Sequence, residues 1–296
     1  MTVEHRRSLP PDVAETARRI ASGELTPAVA KPAATVVLLR DGHGGADGLE
    51  VYLLRRVATM PFAPRMHVFP GGAVDERDAD ATLRWAGPSP AQWAARFSVD
   101  ETLARALVCA AVRETFEESG VLLAGPDVDT VVHDTSGADW EAERLALVDR
   151  SLPFTAFLER RNLVLRTDLL RPWAQWVTPE LERRRYDARF FVAQVPGAQR
   201  PRDVGGETDA AGWLPVRVAV ERHGRGELGM FPPTIATLAE LSGYRTVAEV
   251  LAAGEARVIE PLLPRIVIGE GAGQDADVRL VMPGDPDFAE DAERGE

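Results

Sequence analysis

One cysteine, one lysine and no long apolar run set the first limits on this chain of 296 residues. With Cys109 as the sole cysteine, no intrachain disulfide can form, and its place beside Val108 and near Val112 marks a small core residue, not a nucleophile. No stretch of about 18 apolar residues occurs, and the first residues, MTVEHRRSLPPDV, lack the apolar segment of a secretory signal. A cytoplasmic protein without membrane partners is expected. Lys31 is the only lysine, so nearly all positive charge is guanidinium, suited to bidentate phosphate contacts and equally a mark of genomic base composition. The net charge of −12 excludes a protein that holds a nucleic-acid polymer by neutralising phosphates along its length. A small-molecule nucleotide stays compatible, because a few arginines and a metal can meet its phosphates locally.

What the chain does have is a strong helix signal from Asp100 to Val121, DETLARALVCAAVRETFEESGV. Asp100 can accept from the first free backbone N–H groups, no breaker interrupts the middle, and Gly120 supplies the left-handed residue that commonly ends a helix. At 100° per residue, Glu114, Glu117 and Glu118 share a face with Leu103, Leu107 and Ala110. The other side carries Val108, Cys109, Val112 and Phe116, so the helix is expected to be sandwiched, its carboxylates lining a partly enclosed space.

Three glutamates so spaced repel one another by ~0.2–0.5 kcal/mol per solvated pair, and burial raises the cost. They also occupy the last turn, where the helix dipole disfavours negative charge. Compensation by something positive is required. Mg2+ or Mn2+ answers the need, since hard divalent cations take carboxylate oxygens; Arg113 and other arginines are the competing answer.

The surrounding residues bear on this choice. Arg113-Glu114 and Glu117-Glu118-x-Gly120-Val121, with Pro70-Gly71-Gly72 and Asp78 upstream, resemble the Nudix hydrolase signature, in which a glycine and an acid precede R-E-U-x-E-E-x-G-U and U is apolar. Asp78 replaces the usual first Glu, Thr115 stands at an apolar position, and 34 residues, 79 to 112, fill a gap that normally holds seven. The segment LLRR, followed by MPFAPRMHVFPGG, is similar to the coenzyme A diphosphatase branch, and the long insertion to its peroxisomal-type subgroup, as are WAQWVTPE and RRRYDARFFVA. The resemblance spans about residues 33 to 255.

It implies an α/β fold: a Nudix-type α/β/α sandwich with a mixed β-sheet, a helical insertion and C-terminal helices. The domain plan is an N-terminal helix and linker (1–32), a Nudix domain (33–268, insertion about 79–99) and an acidic tail (269–296). Strands are expected at Ala33–Arg40, Leu49–Val57, Val121–Ala124, Leu169–Val177 and Ala188–Val195, with a long polar loop over 196–212. Helices are expected at Pro11–Ser22, after Pro90, and at Trp140–Ser151, Thr155–Leu163, Pro232–Leu241 and Thr246–Ala253.

The resemblance also assigns site residues. Glu114, Glu117 and Glu118 would hold the metal; Glu117 or Glu207 would act as base, Asp209 being the nearest competitor; Arg113 would orient the glutamates. Gly71 and Gly72 would let the backbone approach a diphosphate. Arg55, Arg56 and Arg65 are phosphate-contact candidates, although strand alternation forbids Arg55 and Arg56 from entering one pocket. The implied reaction is metal-dependent hydrolysis of the pyrophosphate bond in a nucleoside diphosphate derivative, coenzyme A or an acyl derivative among them. The alternative is a Nudix-fold module that binds a nucleotide or regulates without hydrolysis. Oligomeric state is left open, a homodimer included.

Overall fold

The computed structural model describes residues 11–42, 48–59, 64–206, 208–268 and 278–282. In chain order the elements are α1 (Pro11–Ala21), β1 (Lys31–Asp41), β2 (Leu49–Arg56), β3 (His67–Val68), β4 (Gly71–Ala73), a 3-10 turn (Glu76–Ala79), β5 (Trp85–Ala86), α2 (Pro90–Phe97), α3 (Glu101–Ser119) and β6 (Ala124–Gly125). Then follow α4 (Ala138–Val148), α5 (Phe154–Arg160), β7 (Val164–Arg166), a second 3-10 turn (Thr167–Leu169), β8 (Arg171–Val177), β9 (Tyr186–Gln194) and β10 (Thr208–Pro215). The last are α6 (Val216–Gly224), α7 (Pro232–Leu241), α8 (Val247–Glu255), β11 (Pro261–Leu262), β12 (Arg265–Ile268) and β13 (Val278–Val281).

These elements form two compact units, one from residues 33–174 and 189–259, the other from described residues within 1–32, 175–188 and 260–296. In the smaller unit β12 pairs antiparallel with β13, β11 runs parallel to Gln175 and Trp176, and Ala14 and Ala17 of α1 pack on Val278.

The larger unit is built on a sheet of order β10-β2-β1-β9-β8, with β3 added to β2 and β4 to β1. The apolar run of β1 is buried on both faces, from Ala33 and Ala34 through Val36 to Leu39, which requires layers on either side of the sheet. On one face Val36, Leu38, Tyr52 and Leu54 join Val108, Val112 and Phe116 of α3 in a single core cluster. The pairing of Ala34 with Gly72 and Thr35 with Gly71 sets the glycine pair at the edge of that contact.

The inserted segment contributes to this core. Ser89 and Gln92 cap α2 reciprocally, and its Trp93 and Phe97 stack at 5.7 Å while both meet Phe191 of β9 edge-on. Trp85 of β5 pairs with Leu165 of β7, which also pairs with β6, so insertion and post-helix segment share a small mixed sheet.

Two expectations need correction, and two elements, the strand at 164–166 and the helix at 216–224, had no signal assigned to them. The polar loop ends at Thr208, not after Gly212, because TDAAG pairs along β2 at the sheet edge, where polar side chains are tolerated. The strand expected at Val121–Ala124 shrinks to Ala124–Gly125. No helix among the described residues is long and apolar enough to cross a membrane.

Candidate active site

Helix α3 starts where Asp100 accepts from the Leu103 N–H at 2.9 Å and stops where Gly120 turns left-handed at φ 71°. Its apolar side is fully buried. That packing fixes the rotation of the helix and with it the direction of the glutamates.

Arg113 is the hub of the acidic end. Its Nε and Nη2 grip Asp78 at 3.0 and 2.9 Å, Nη1 donates to Glu114 at 2.7 Å and Glu117 at 3.2 Å, and Nη2 also reaches the Ala73 carbonyl at 3.0 Å. Asp78 is held in turn by the 3-10 turn, where it and Asp75 form a capping box. The buried Cys109 thiol lies 3.7 Å from Asp78. Glu118 accepts from the Gly71 N–H at 2.8 Å. Gly72 lies so close to Glu114 that a Cβ there would stand 2.5 Å from Oε1, inside any real contact distance. Only glycine lets β4 meet this carboxylate.

The charges do not balance. One guanidinium serves Asp78, Glu114 and Glu117, and burial pushes the Glu114 carboxyl up to about 7 against the pull of Arg113. Burial raises Glu117 as well, again opposed by Arg113. For Arg113 itself, burial favours the neutral form but is outweighed by its hydrogen bond to Asp78 and the nearby carboxylates, which hold it more firmly protonated. Among the described residues no three His, Cys, Asp or Glu side chains are gathered as metal ligands. The donor set nevertheless fits a hard divalent cation: all oxygen, anionic, and short of positive charge.

Part of the positive charge required at this helix pole comes from residues that the sequence reading missed. Arg144 of α4 donates Nη1 to the Glu117 carbonyl at 2.5 Å, while its Nε and Nη2 hold Glu141 at 3.0 and 2.5 Å. Glu141 also accepts from Arg202 at 3.0 Å, and the Arg202 backbone N–H donates to the Ser119 carbonyl at 3.0 Å. Thr135 donates to the Gly120 carbonyl at 2.5 Å, and Gln199 brackets Leu122 through both backbone groups. Only the i,i+3 spacing of Glu141 and Arg144 was visible beforehand, and that spacing reads as a surface pair.

The other candidates are dispersed. Tyr52 and Leu54 face α3, so alternation sends Arg55 to the opposite side, where it pairs with Asp209 at 2.6 Å, and leaves Arg56 on the α3 side. Asp209 is therefore a strand residue bound to an arginine. Arg65 is exposed with φ 61°, its N–H donating to the Arg56 carbonyl at 3.0 Å. His67 faces the Gly229 carbonyl at 3.4 Å. Glu207 lies outside the described residues.

The family model described as NUDT19 Nudix domain matches residues 89–241. Among curated proteins, the acyl-coenzyme A diphosphatase NUDT19 of Xenopus laevis is 24% identical over 238 residues, 68% of this chain and 61% of that protein. The chain thus spans about three fifths of that relative's length. The Homo sapiens protein of the same name is 26% identical over 291 residues, 84% of this chain and 74% of its own. Among solved structures, a Nudix hydrolase from Alicyclobacillus acidocaldarius superposes with TM-score 0.66 at 33% identity, covering 76% of this chain and 96% of that one.

Proposed function

The chain belongs to the Nudix hydrolase family, and from that premise we propose that it hydrolyses the pyrophosphate bond of a nucleoside diphosphate derivative, with coenzyme A or an acyl-coenzyme A as the favoured substrate. Relatives that carry the name acyl-coenzyme A diphosphatase support the substrate class. The observation that carries the reading is the charge deficit at Arg113, which three carboxylates share.

Glu114, Glu117 and Glu118 are the residues that would hold Mg2+ or Mn2+. The chemistry such an ion supplies when bound is charge neutralisation and Lewis-acid polarisation of phosphoryl oxygens. Arg113, tied to Asp78 and the Ala73 carbonyl, orients the glutamates from behind. Gly71 and Gly72 admit a diphosphate close to the backbone, as Gly72 already admits the Glu114 carboxylate. Glu117 or Glu207 accepts the proton of the attacking water. Of the two adjacent arginines, the strand register favours Arg56 over Arg55 for a phosphate on the α3 side. The enzyme acts in the cytoplasm on a small-molecule nucleotide.

The test is a panel of coenzyme A, acyl-coenzyme A, NADH, ADP-ribose and nucleotide sugars with Mg2+ or Mn2+, read by the masses of both products. Release of an adenine nucleotide from at least one, abolished by Glu118→Gln, is the expected result. Nucleotide binding with no turnover across the panel replaces the enzyme by a binding module.

A further inference from the structure

We propose that Arg144 is a positioning residue for the metal-holding carboxylates, acting through the backbone of α3, with Glu141 and Arg202 as its support. The inference rests on the functional reading above.

The last turn of a helix leaves carbonyls without intrahelical partners, and flanking groups must satisfy them. In α3 that turn carries Glu117 and Glu118 and is followed by the left-handed Gly120. Arg144 is 3% exposed, and its guanidinium is divided: one edge holds Glu141, the remaining nitrogen holds the Glu117 carbonyl. A fork fixed by a carboxylate on one side has little freedom on the other, so the carbonyl is held in place and the Glu117 side chain springs from an anchored backbone. Glu141 is itself fixed from a second direction by Arg202, whose segment is tied to the helix end at Ser119. Gly120 makes room for this arrangement: a Cβ there would collide with the Arg202 guanidinium.

The consequence concerns metal affinity more than folding. The cation also opposes the negative pole of the helix, so its loss both loosens and further charges the site. Groups behind metal ligands typically change metal affinity or activity by about 10–100-fold when removed. Lysine at this position keeps the charge but cannot grip Glu141 and the carbonyl together.

The experiment uses the full chain. Mn2+ binding is measured by calorimetry, and the Mn2+ concentration for half-maximal rate is measured with whichever pyrophosphate compound the wild type turns over. Expected is a loss of about 10-fold or more in Mn2+ affinity for Arg144→Met, partial recovery in Arg144→Lys, and a substrate KM within about 2-fold of wild type, since Arg144 is buried with its guanidinium committed to Glu141 and the Glu117 carbonyl. A folded Arg144→Met with wild-type Mn2+ affinity overturns the proposal. Should Arg144→Met fail to fold, Glu141→Gln decides: weakened Mn2+ binding supports the role, unchanged binding removes it. A wild type that binds Mn2+ yet turns over nothing defeats the functional reading and leaves the calorimetric comparison to judge Arg144. A wild type that binds no Mn2+ overturns both.

Discussion

Arg113 and Asp78 meet edge to edge, Nε 3.0 Å from Oδ1 and Nη2 2.9 Å from Oδ2, and so join the two halves of a motif that 34 intervening residues separate in sequence. The excursion returns the chain to the point from which it left. Both contacts are at full hydrogen-bond distance, so the aspartate that replaces the longer glutamate is not short of its partner.

The first prediction ranks two substitutions at this pair. Arg113→Met strands Asp78, Glu114 and Glu117 around a buried hub, and removing one partner of a buried ion pair costs about 3–5 kcal/mol. Asp78→Asn leaves Arg113 its other three acceptors and keeps one amide oxygen in place of the two carboxylate oxygens, so of the two bonds from Arg113 one is lost, at about 1.5–3 kcal/mol. Urea unfolding of both variants should place Arg113→Met lower. The reverse order would mean that Asp78, not Arg113, is the centre of the network.

A second prediction concerns Gly72. Alanine is compatible with the strand backbone, but its Cβ would lie 2.5 Å from a Glu114 oxygen, so that carboxylate must swing away. The expected result is a fold retained by circular dichroism, with turnover reduced at least 10-fold, the low end for disturbing groups that support metal ligands. Unchanged turnover would separate Glu114 from the chemistry.

The fold was legible where its signals are local. Asp100 and Gly120 bound α3 because capping depends on two residues and one left-handed φ, and Pro90 in the first turn announces α2 as locally as Thr246 does α8. The three glutamates were legible because side-chain periodicity on a helix is fixed. Arg144, Arg202 and Gln199 were not, because each meets α3 or its exit from a distant segment and nothing in the spacing encodes the meeting. Strand β10 was hidden at its start, since TDAAG has no apolar alternation and is ordered only by pairing with β2.

The third prediction is a pH dependence at Glu141. Its hydrogen bond from Arg144, opposed by burial and aided by Arg202, lowers the carboxyl from its ordinary 4.5 to about 2. A folded-state value below the unfolded one means that the unfolded chain binds more protons between these limits. The stabilisation is therefore complete above about pH 4.5 and lost as pH falls through about 2. Thermal melts between these values should fall less steeply for Glu141→Gln than for wild type, and equal slopes would show that the carboxylate is not held as described.

The last prediction separates a core role from a lid role for the insertion. Trp93 is fully buried, stacked on Phe97 and edge-on to Phe191, so its side chain is part of the layer between α2 and the sheet. Trp93→Ala should cost about 3–5 kcal/mol through lost burial and the cavity left behind. Its indole N–H is buried without a hydrogen-bond partner, a penalty already present in the wild type. Trp93→Phe removes that donor together with some apolar volume, and the two effects oppose: about 1–3 kcal/mol of relieved desolvation against a similar loss of packing. The phenylalanine variant should therefore stay within about 1.5 kcal/mol of wild type, while the alanine variant falls well below it. A lid would give the opposite pattern, with both variants near wild-type stability and the change confined to turnover, because a lid side chain leaves the core intact when truncated.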